Sequence, residues 1–367
     1  MTIRPNILVL AVLLWAGFAA APAGAQPIVH LPDAQRAASL GARRTWALDA
    51  ARGDRASDYW VAYSIERLMH ARSFIGSFSS DRQRREPSLS LLLYGREVEP
   101  LYDDDNAYDA LPVTVRKEVV YLVRYDRNAV PVDVTISSIS LAVGLDGLPL
   151  YWLGKADAPE SIAQMRSIYE AAQRLDAREH ALMAVALHRN EPAALDFLLA
   201  VLDVRTPAAL REKAAFWMGQ QSDPRALAAI EKTMRNDPSM EVREQAVFAL
   251  SQMDLPEATD LLIETARHEK VTEVRKKAVF WLGQKASKQV LAVLSDIVAE
   301  ESDTEVQKQA LYALAQMPAE DGVPVLIRIA RTHPNVRLRK QAIYMLGESD
   351  DPRALETLVE LARMSGR

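Results

Sequence analysis

Five segments of this chain carry the same residue classes at a constant step of 32: Arg211–Gln220 (REKAAFWMGQ), Arg243–Gln252 (REQAVFALSQ), Arg275–Gln284 (RKKAVFWLGQ), Gln307–Gln316 (QKQALYALAQ) and Arg339–Glu348 (RKQAIYMLGE). A sixth copy, Arg178–Leu187 (REHALMAVAL), precedes the first by 33. Self-similarity at this period leaves few folds open. Such a unit is a helix pair, too small to bury its own apolar face, and it becomes stable by stacking on like units. The C-terminal half is therefore expected to be an α-solenoid.

Each copy can be counted from its small residue, Gly219, Ser251, Gly283, Ala315 or Gly347, and projected at about 100° per residue. One face gathers Leu or Val, Arg (Gln307 in one copy), an alanine in every copy, a small or branched apolar residue, and Leu or Met. This is the packed face, and its alanines (Ala214, Ala246, Ala278, Ala310, Ala342) allow close helix approach. The arginine eight residues before the small position reads as a structural ladder that reaches acidic neighbours of the adjacent repeat. The opposite face would be polar in an ordinary solenoid. Here it carries an aromatic three residues before the small position: Phe216, Phe248, Phe280, Tyr312 and Tyr344. Gln220, Gln252, Gln284, Gln316 and Glu348 follow the small position, and Trp217 and Trp281 stand beside two of the rings. Seven residues before the small position the sign changes, from Glu212 and Glu244 to Lys276, Lys308 and Lys340. Rings and amides on one face suit a peptide or protein groove. An aromatic stripe at helical spacing is also what packed core looks like, so two readings stand at this point.

The repeat resembles the short bacterial HEAT repeat of the phycobilisome lyase type. Val274, Arg275, Ala278, Val279, Leu282 and Gly283 match its V-R-x-x-A-ϕ-x-A-L-G pattern. Asp223–Ala228 (DPRALA) and Asp351–Leu355 (DPRAL) match its linking D-P-x-A-L. The resemblance covers residues 159–367 and implies a right-handed solenoid of about six or seven repeats whose second helices line a concave surface. It names a fold more than a function, because that fold hosts many unrelated roles.

The first half is written differently. Arg4, the apolar run Ile7–Ala20 and the A-x-A site Ala23-Gly24-Ala25 have the tripartite form of a secretory signal. Residues 1–25 are expected to be removed, which gives a periplasmic or secreted chain without stable membrane insertion. Residues 26–57 form a linker with a candidate helix over Asp33–Ala51. Residues 58–155 are rich in β-branched and aromatic residues, which predicts a small, mostly antiparallel β-domain of five or six strands. The candidate strands are Tyr59–Ile65, Ser88–Tyr94, Val113–Tyr125, Val130–Val143 and Leu148–Leu153, with Phe74–Phe78 a weaker one. Turn chemistry separates them at Asp103–Asn106, Asp126–Asn128 and Asp146-Gly147, the last reading as a hairpin. In Val130–Val143 the apolar parity changes after Ile136, and a bulge near Ser137-Ser138 would restore one buried face. The helical array is expected from residue 159, where Pro159 suits a first helical turn.

Composition limits the chemistry. The chain has no cysteine, which excludes disulfides, thiolate metal sites and a cysteine nucleophile. A net charge of −5 gives no basic footprint for nucleic acid. No nucleophile elbow, phosphate loop or H-E-x-x-H motif is present. HEAT-repeat di-iron hydroxylases use several His–Glu pairs, and this chain has one, His268-Glu269. Asp103, Asp104, Asp105 and Asp109 read as a solvated acidic turn, and Arg82, Arg84 and Arg85 as a solvated basic loop. The reading is an exported, non-enzymatic interaction scaffold of α+β class, a β-domain followed by the solenoid, with a protein partner and no metal or cofactor. Two alternatives remain: a lyase or chaperone-like cofactor-handling protein, which needs an enclosed apolar pocket at the junction, and a membrane-tethered envelope-signalling scaffold.

Overall fold

The structure is a computed structural model that describes residues 27–70, 73–76, 87–98, 114–189, 191–285 and 287–365. The signal segment, the arginines at 82, 84 and 85, the acidic turn at 103–109 and the end of the Phe74–Phe78 candidate lie outside the described residues.

The N-terminal part is a mixed five-stranded sheet. Strands β1 (Ile28–His30), β2 (Asp58–His70), β3 (Thr114–Asp126), β4 (Pro131–Ser138) and β5 (Leu150–Lys155) lie in the order β1-β5-β2-β3-β4. The long β2–β3–β4 ladder is antiparallel, and β5 lies parallel to both β1 and β2. Helix α1 (Leu40–Gly53) occupies the later part of the expected helix, and a short 3-10 turn over Asp33–Gln35 takes the rest. Both faces of the sheet are covered. Tyr59, Val61, Tyr63 and Ile65 point to the main core, while Trp60, Leu122, Leu150 and Trp152 form a second cluster with Leu89 and Leu93. Burial on both faces explains why β2 is continuously apolar from Tyr59 to Tyr63 instead of alternating.

Three local expectations are corrected. Ser88–Tyr94 is not a strand but helix α2 (Leu89–Tyr94). Ser88 caps its start through Leu91 N, and Gly95 ends it in the left-handed conformation. Leu89 and Leu93, one helical turn apart, cover the second cluster. The parity change after Ile136 needs no bulge at Ser137-Ser138. Strand β4 ends at Ser138, and Ile139 turns to the opposite layer while Val134 and Ile136 stay with the first. The ladder irregularity lies at the other end, between Arg124 and Tyr125. Asp146 and Gly147 do form a turn with positive φ at both positions (53° and 69°), but the strands on either side do not pair. The chain crosses over instead and places β5 between β1 and β2. At Asp126–Asn128 the expected turn forms, with the Asp126 carboxylate accepting from the amides of Asn128 and Val130.

From α3 (Ala158–Ala171) onward the described chain is paired helices. The pairs are α3 with α4 (Leu175–Ala186), α5 (Pro192–Val201) with α6 (Ala208–Met218), and α7 (Pro224–Asn236) with α8 (Met240–Gln252). They continue as α9 (Pro256–His268) with α10 (Thr272–Gly283), α11 (Lys288–Glu300) with α12 (Thr304–Ala315), and α13 (Ala319–Thr332) with α14 (Val336–Gly347). Helix α15 (Pro352–Ser365) closes the array. Proline within the first turn opens α3, α5, α7 and α9, where its missing N–H costs nothing. The sheet face bearing Tyr63 and Tyr121 packs on the first helix pairs, so one continuous core joins sheet and solenoid.

The repeat alanines at 214, 246, 278, 310 and 342 occupy equivalent positions and are fully buried. The arginine ladder also forms. Arg211 makes a two-pronged bond to Asp237 at 2.8 Å. Arg243 pairs with Glu269 at 3.0 Å, and Arg275 with Asp303 at 3.3 Å. The same guanidinium groups donate to the carbonyls of Thr206, Met234 and Glu269, at or just beyond the end of the preceding helix. Where the ladder breaks, Gln307 and His333 converge on the Val298 carbonyl at 2.9 and 3.0 Å.

Candidate functional site

The second helices contact one another far more extensively than the first helices do. A layer packed more tightly on one side curves the array toward that side, so the second helices line the inner surface. Their closest approaches are at glycines. A Cβ at Gly219 would lie 2.8 Å from the Ala249 backbone, and one at Gly283 would lie 2.7 Å from the Ala313 methyl. Neither glycine has a positive φ, so close approach, not backbone freedom, explains them.

The five rings of the sequence pattern lie along this inner layer but not in one environment. Phe216 and Phe248 are half-buried and stack on each other, with centroids 5.8 Å apart and planes 11° from parallel. Trp217 meets Phe216 edge-on at 5.1 Å, and Trp281 leans on Phe248 at 4.7 Å. Phe280 touches Trp281 at 4.9 Å but is 42% exposed. Tyr312 is 47% exposed and Tyr344 62%. The hydroxyl of Tyr312 accepts a hydrogen bond from Gln341 Nε2 at 3.0 Å, across one repeat step. Core packing thus describes the first two rings, while the last three are open to solvent.

Gln252, Gln284 and Gln316 are all exposed beside them. Gln252 bonds to Ser251 Oγ next to it, and Gln220 accepts from Arg189 at 2.8 Å. The lysines divide. Lys276 is bound to Glu273 and Lys308 to Glu305, each one turn back on its own helix, while Lys340 is exposed. Glu244 is bound to Lys277 of the next repeat at 2.9 Å. The change of charge sign read from the sequence is therefore partly neutralised within the array. Exposed pairs of this kind hold with only about 0.2–0.5 kcal/mol, so an incoming charged group can compete for either lysine.

The opposite, outer surface is tied together differently. Arg225 bridges to Asp196, Arg235 to Glu264, Arg267 to Asp296 and Arg331 to Glu360, each joining first helices of adjacent repeats. Glu269 of the single His–Glu pair is engaged by Arg243, on a buried structural contact.

Two polar clusters at the sheet were not found from the sequence. Glu118 accepts hydrogen bonds from Ser64 and Tyr94, and Lys155 lies 3.7 Å from its other oxygen. On the opposite face Tyr63, Ser161 and His188 form a buried chain with steps of 2.8 and 2.9 Å. Burial, aided by nearby Arg67, pushes the His188 ring down to about 4, so it is neutral at physiological pH. These groups come from β2, α2, β3, β5, α3 and the turn after α4, and no sequence spacing announces them. Among the described residues the junction holds an open cleft lined by both charged and apolar side chains, not an enclosed apolar pocket.

Residues 195–283, 270–327 and 291–366 match the family model described as HEAT repeats, so the C-terminal half is a HEAT-repeat array. Solved structures to which the chain is similar include human deoxyhypusine hydroxylase, at 20% identity over 54% of this chain and 77% of that one, with a TM-score of 0.30. The CpcE–CpcF phycocyanin lyase complex from Nostoc sp. PCC7120 matches at 20% identity over 42% of this chain and 99% of that one, TM-score 0.32. YibA of Escherichia coli matches at 18% identity over 56% and 80%, TM-score 0.36. These similarities concern the fold alone. No curated protein matches the sequence.

Proposed function

We propose that this HEAT-repeat scaffold binds an extended protein segment in its inner groove, along the second helices of the last three repeats, and catalyses no reaction itself. The observation that carries the reading is the row Phe280, Tyr312 and Tyr344, each more than two-fifths exposed on the inner layer. Large rings left open beside Gln284 and Gln316 combine apolar contact area with amides able to satisfy a partner's backbone. Phe216, Phe248, Gln252 and the lysines 276, 308 and 340 border this stretch. They complete the proposed surface, with the lysines favouring an acidic end of the partner near the last repeats. Among the described residues no helix is long and apolar enough to cross a membrane. We further propose that the signal-like N-terminus directs the chain to the periplasm or beyond. Retention of Met1 on the protein recovered from the cell envelope would refute export with cleavage.

The groove is tested with a double variant, Phe280→Ala with Tyr312→Ala, against an outer-face control, Arg235→Ala. A partner captured by the wild type and by the control should be lost by the double variant, with affinity down by more than about tenfold. Circular dichroism and melting curves must match the wild type for the comparison to hold. A folded double variant that binds at full affinity would remove the groove from the reading.

A further inference from the structure

Away from the groove, the far side of α15 is a second uncovered surface. A repeat is stable because it stacks on its neighbours, so the last unit of an array needs a polar outer side. Helix α15 presents an apolar one. Leu355 is 65% exposed and Met364 67%, and Val359 is exposed between them. The repeat itself shows what is missing. Position 362 recurs at steps of 32 as Met234, Ala266, Val298 and Ala330, and all four are buried. Each of those helices packs along the second helix of its own repeat. Ala362, at the same position, is exposed. The adjoining second helix is open as well. Gly219 and Gly283 receive Ala249 and Ala313 of the next repeat, whereas nothing lies within 4 Å of a Cβ placed on Gly347.

The two ends of the array are not alike. At the first end the sheet packs on the first helix pairs and shares their core. A second copy of the chain therefore offers no open first end on which α15 can stack, and head-to-tail growth is closed. The like surface that a second copy does offer is its own α15. Contact between two identical surfaces is two-fold, and it requires a surface complementary to itself.

Helix α15 meets that requirement. Leu355, Val359 and Ala362 are spaced by four and then three residues, which makes one apolar stripe along the helix. Two charges of opposite sign, Glu356 and Arg363, flank the stripe seven residues apart, and both are exposed. The other charges of the helix are engaged, Arg353 by Asp351 and Glu360 by Arg331. Among the described residues Glu356 and Arg363 form no ion pair. Laid antiparallel about an axis beside Val359, two copies of α15 bring Glu356 opposite the partner's Arg363, and the reverse. The same register sets Leu355 against the partner's Met364. Charge and apolar contact thus agree on one arrangement. A parallel pairing would set Glu356 against Glu356 and Arg363 against Arg363, which repel.

We propose that the chain forms a two-fold dimer in which the α15 helices of two copies pack antiparallel through Leu355, Val359, Ala362 and Met364. The two Glu356–Arg363 pairs fix the register. A single helix of this length is about 20 Å long, which covers less than a standard interface, so the dimer is a reversible one in the micromolar range.

Sedimentation velocity on the full chain, from about 1 to 100 μM, tests it. The mass should rise from that of one chain to that of two and stop there. Leu355→Arg should leave a monomer throughout. Glu356→Arg and Arg363→Glu, each of which opposes like charges twice across the axis, should each raise the dissociation constant by about tenfold. The two exchanges combined should restore the wild-type constant. All three positions are exposed, so circular dichroism should be unchanged, and the charge exchanges decide the matter if Leu355→Arg fails to fold. A wild type that stays monomeric overturns the proposal, and so does growth beyond two chains. A dimer that survives Leu355→Arg, or a combined exchange that does not restore pairing, overturns it too.

Discussion

Gly283 and Gly347 occupy the same position of the repeat, yet replacing each by alanine should move stability in opposite directions. Both end their helices with ordinary backbone angles, so alanine is favoured on helix propensity by at most about 1 kcal/mol. The surroundings differ. A methyl at Gly283 would meet the Ala313 Cβ at 2.7 Å and its Cα at 3.2 Å. Carbon atoms rest comfortably at about 3.5–4.0 Å, so α10 and α12 would have to part by roughly 1 Å at that point. Overpacking of this kind costs about 1–3 kcal/mol, leaving Gly283→Ala less stable by up to about 2 kcal/mol after the full propensity gain. At Gly347 nothing lies within 4 Å, and Gly347→Ala should be neutral or stabilising by up to about 1 kcal/mol. Urea denaturation followed by far-ultraviolet circular dichroism would compare the midpoints, which remain meaningful if the array unfolds in more than one step. A Gly283→Ala midpoint at or above that of the wild type would refute close approach as the reason for the glycine. The account of how the inner layer curves would fall with it.

Two further outcomes follow from the buried polar contacts. Arg211 and Asp237 are almost wholly buried against each other, so Asp237→Ala should destabilise by roughly 3–5 kcal/mol, measured by the same denaturation, whereas Arg339→Met at the array's end should change little. The His188 ring, depressed from 6.5 to about 4 in the folded chain, takes up a proton on unfolding between those values. Stability should therefore be fully present above about pH 6.5 and decline as pH falls toward 4, by on the order of 3 kcal/mol. His188→Gln, which can still reach Ser161, should flatten that part of the stability–pH curve, and an unchanged slope would refute the assignment.

The sequence showed most clearly what local periodicity controls. The steps of 32, with one of 33 before them, located the six second helices from α4 to α14, the buried alanines and the arginine ladder, because each depends on residues within one repeat and its neighbour. The sheet was less legible. Five strands formed, but a run of leucines at Leu89–Leu93 has no period of its own to separate helix from strand, and only the Ser88 and Gly95 caps decide it. The crossover that inserts β5 between β1 and β2 is a long-range choice. Asp146-Gly147 describes its own turn correctly and says nothing of where the next strand goes. The cluster of Arg67, Tyr121, Ser161 and His188 draws on residues up to about 120 positions apart, which spacing rules cannot see.

The rings on the inner layer show how a regular pattern yields an irregular surface. The sequence supplies an aromatic in every repeat, and their exposure follows whether a ring of the following repeat lies against them. After Phe216 and Phe248 the next repeats bring Phe248 itself and Trp281, and both rings are covered. One position later in the repeats after Phe280 and Tyr312 stand Ala313 and Met345, neither of them a ring, and exposure is higher at Phe280 and Tyr312. Tryptophan alternates with alanine there, as Trp217, Ala249, Trp281, Ala313, and Trp281 is the last of these tryptophans, standing where the covered rings give way to open ones. An Ala313→Trp substitution tests this directly. If a tryptophan in the following repeat is what closes a ring, it should cover Phe280 as Trp281 covers Phe248, raising stability while reducing partner capture. Gain of stability with undiminished capture would mean that the partner reads Tyr312 and Tyr344 alone. Loss of stability would mean that the alanine is held by its contact with Gly283, 2.7 Å from where a methyl there would sit. In that case the same close approach that curves the groove also keeps its rings open.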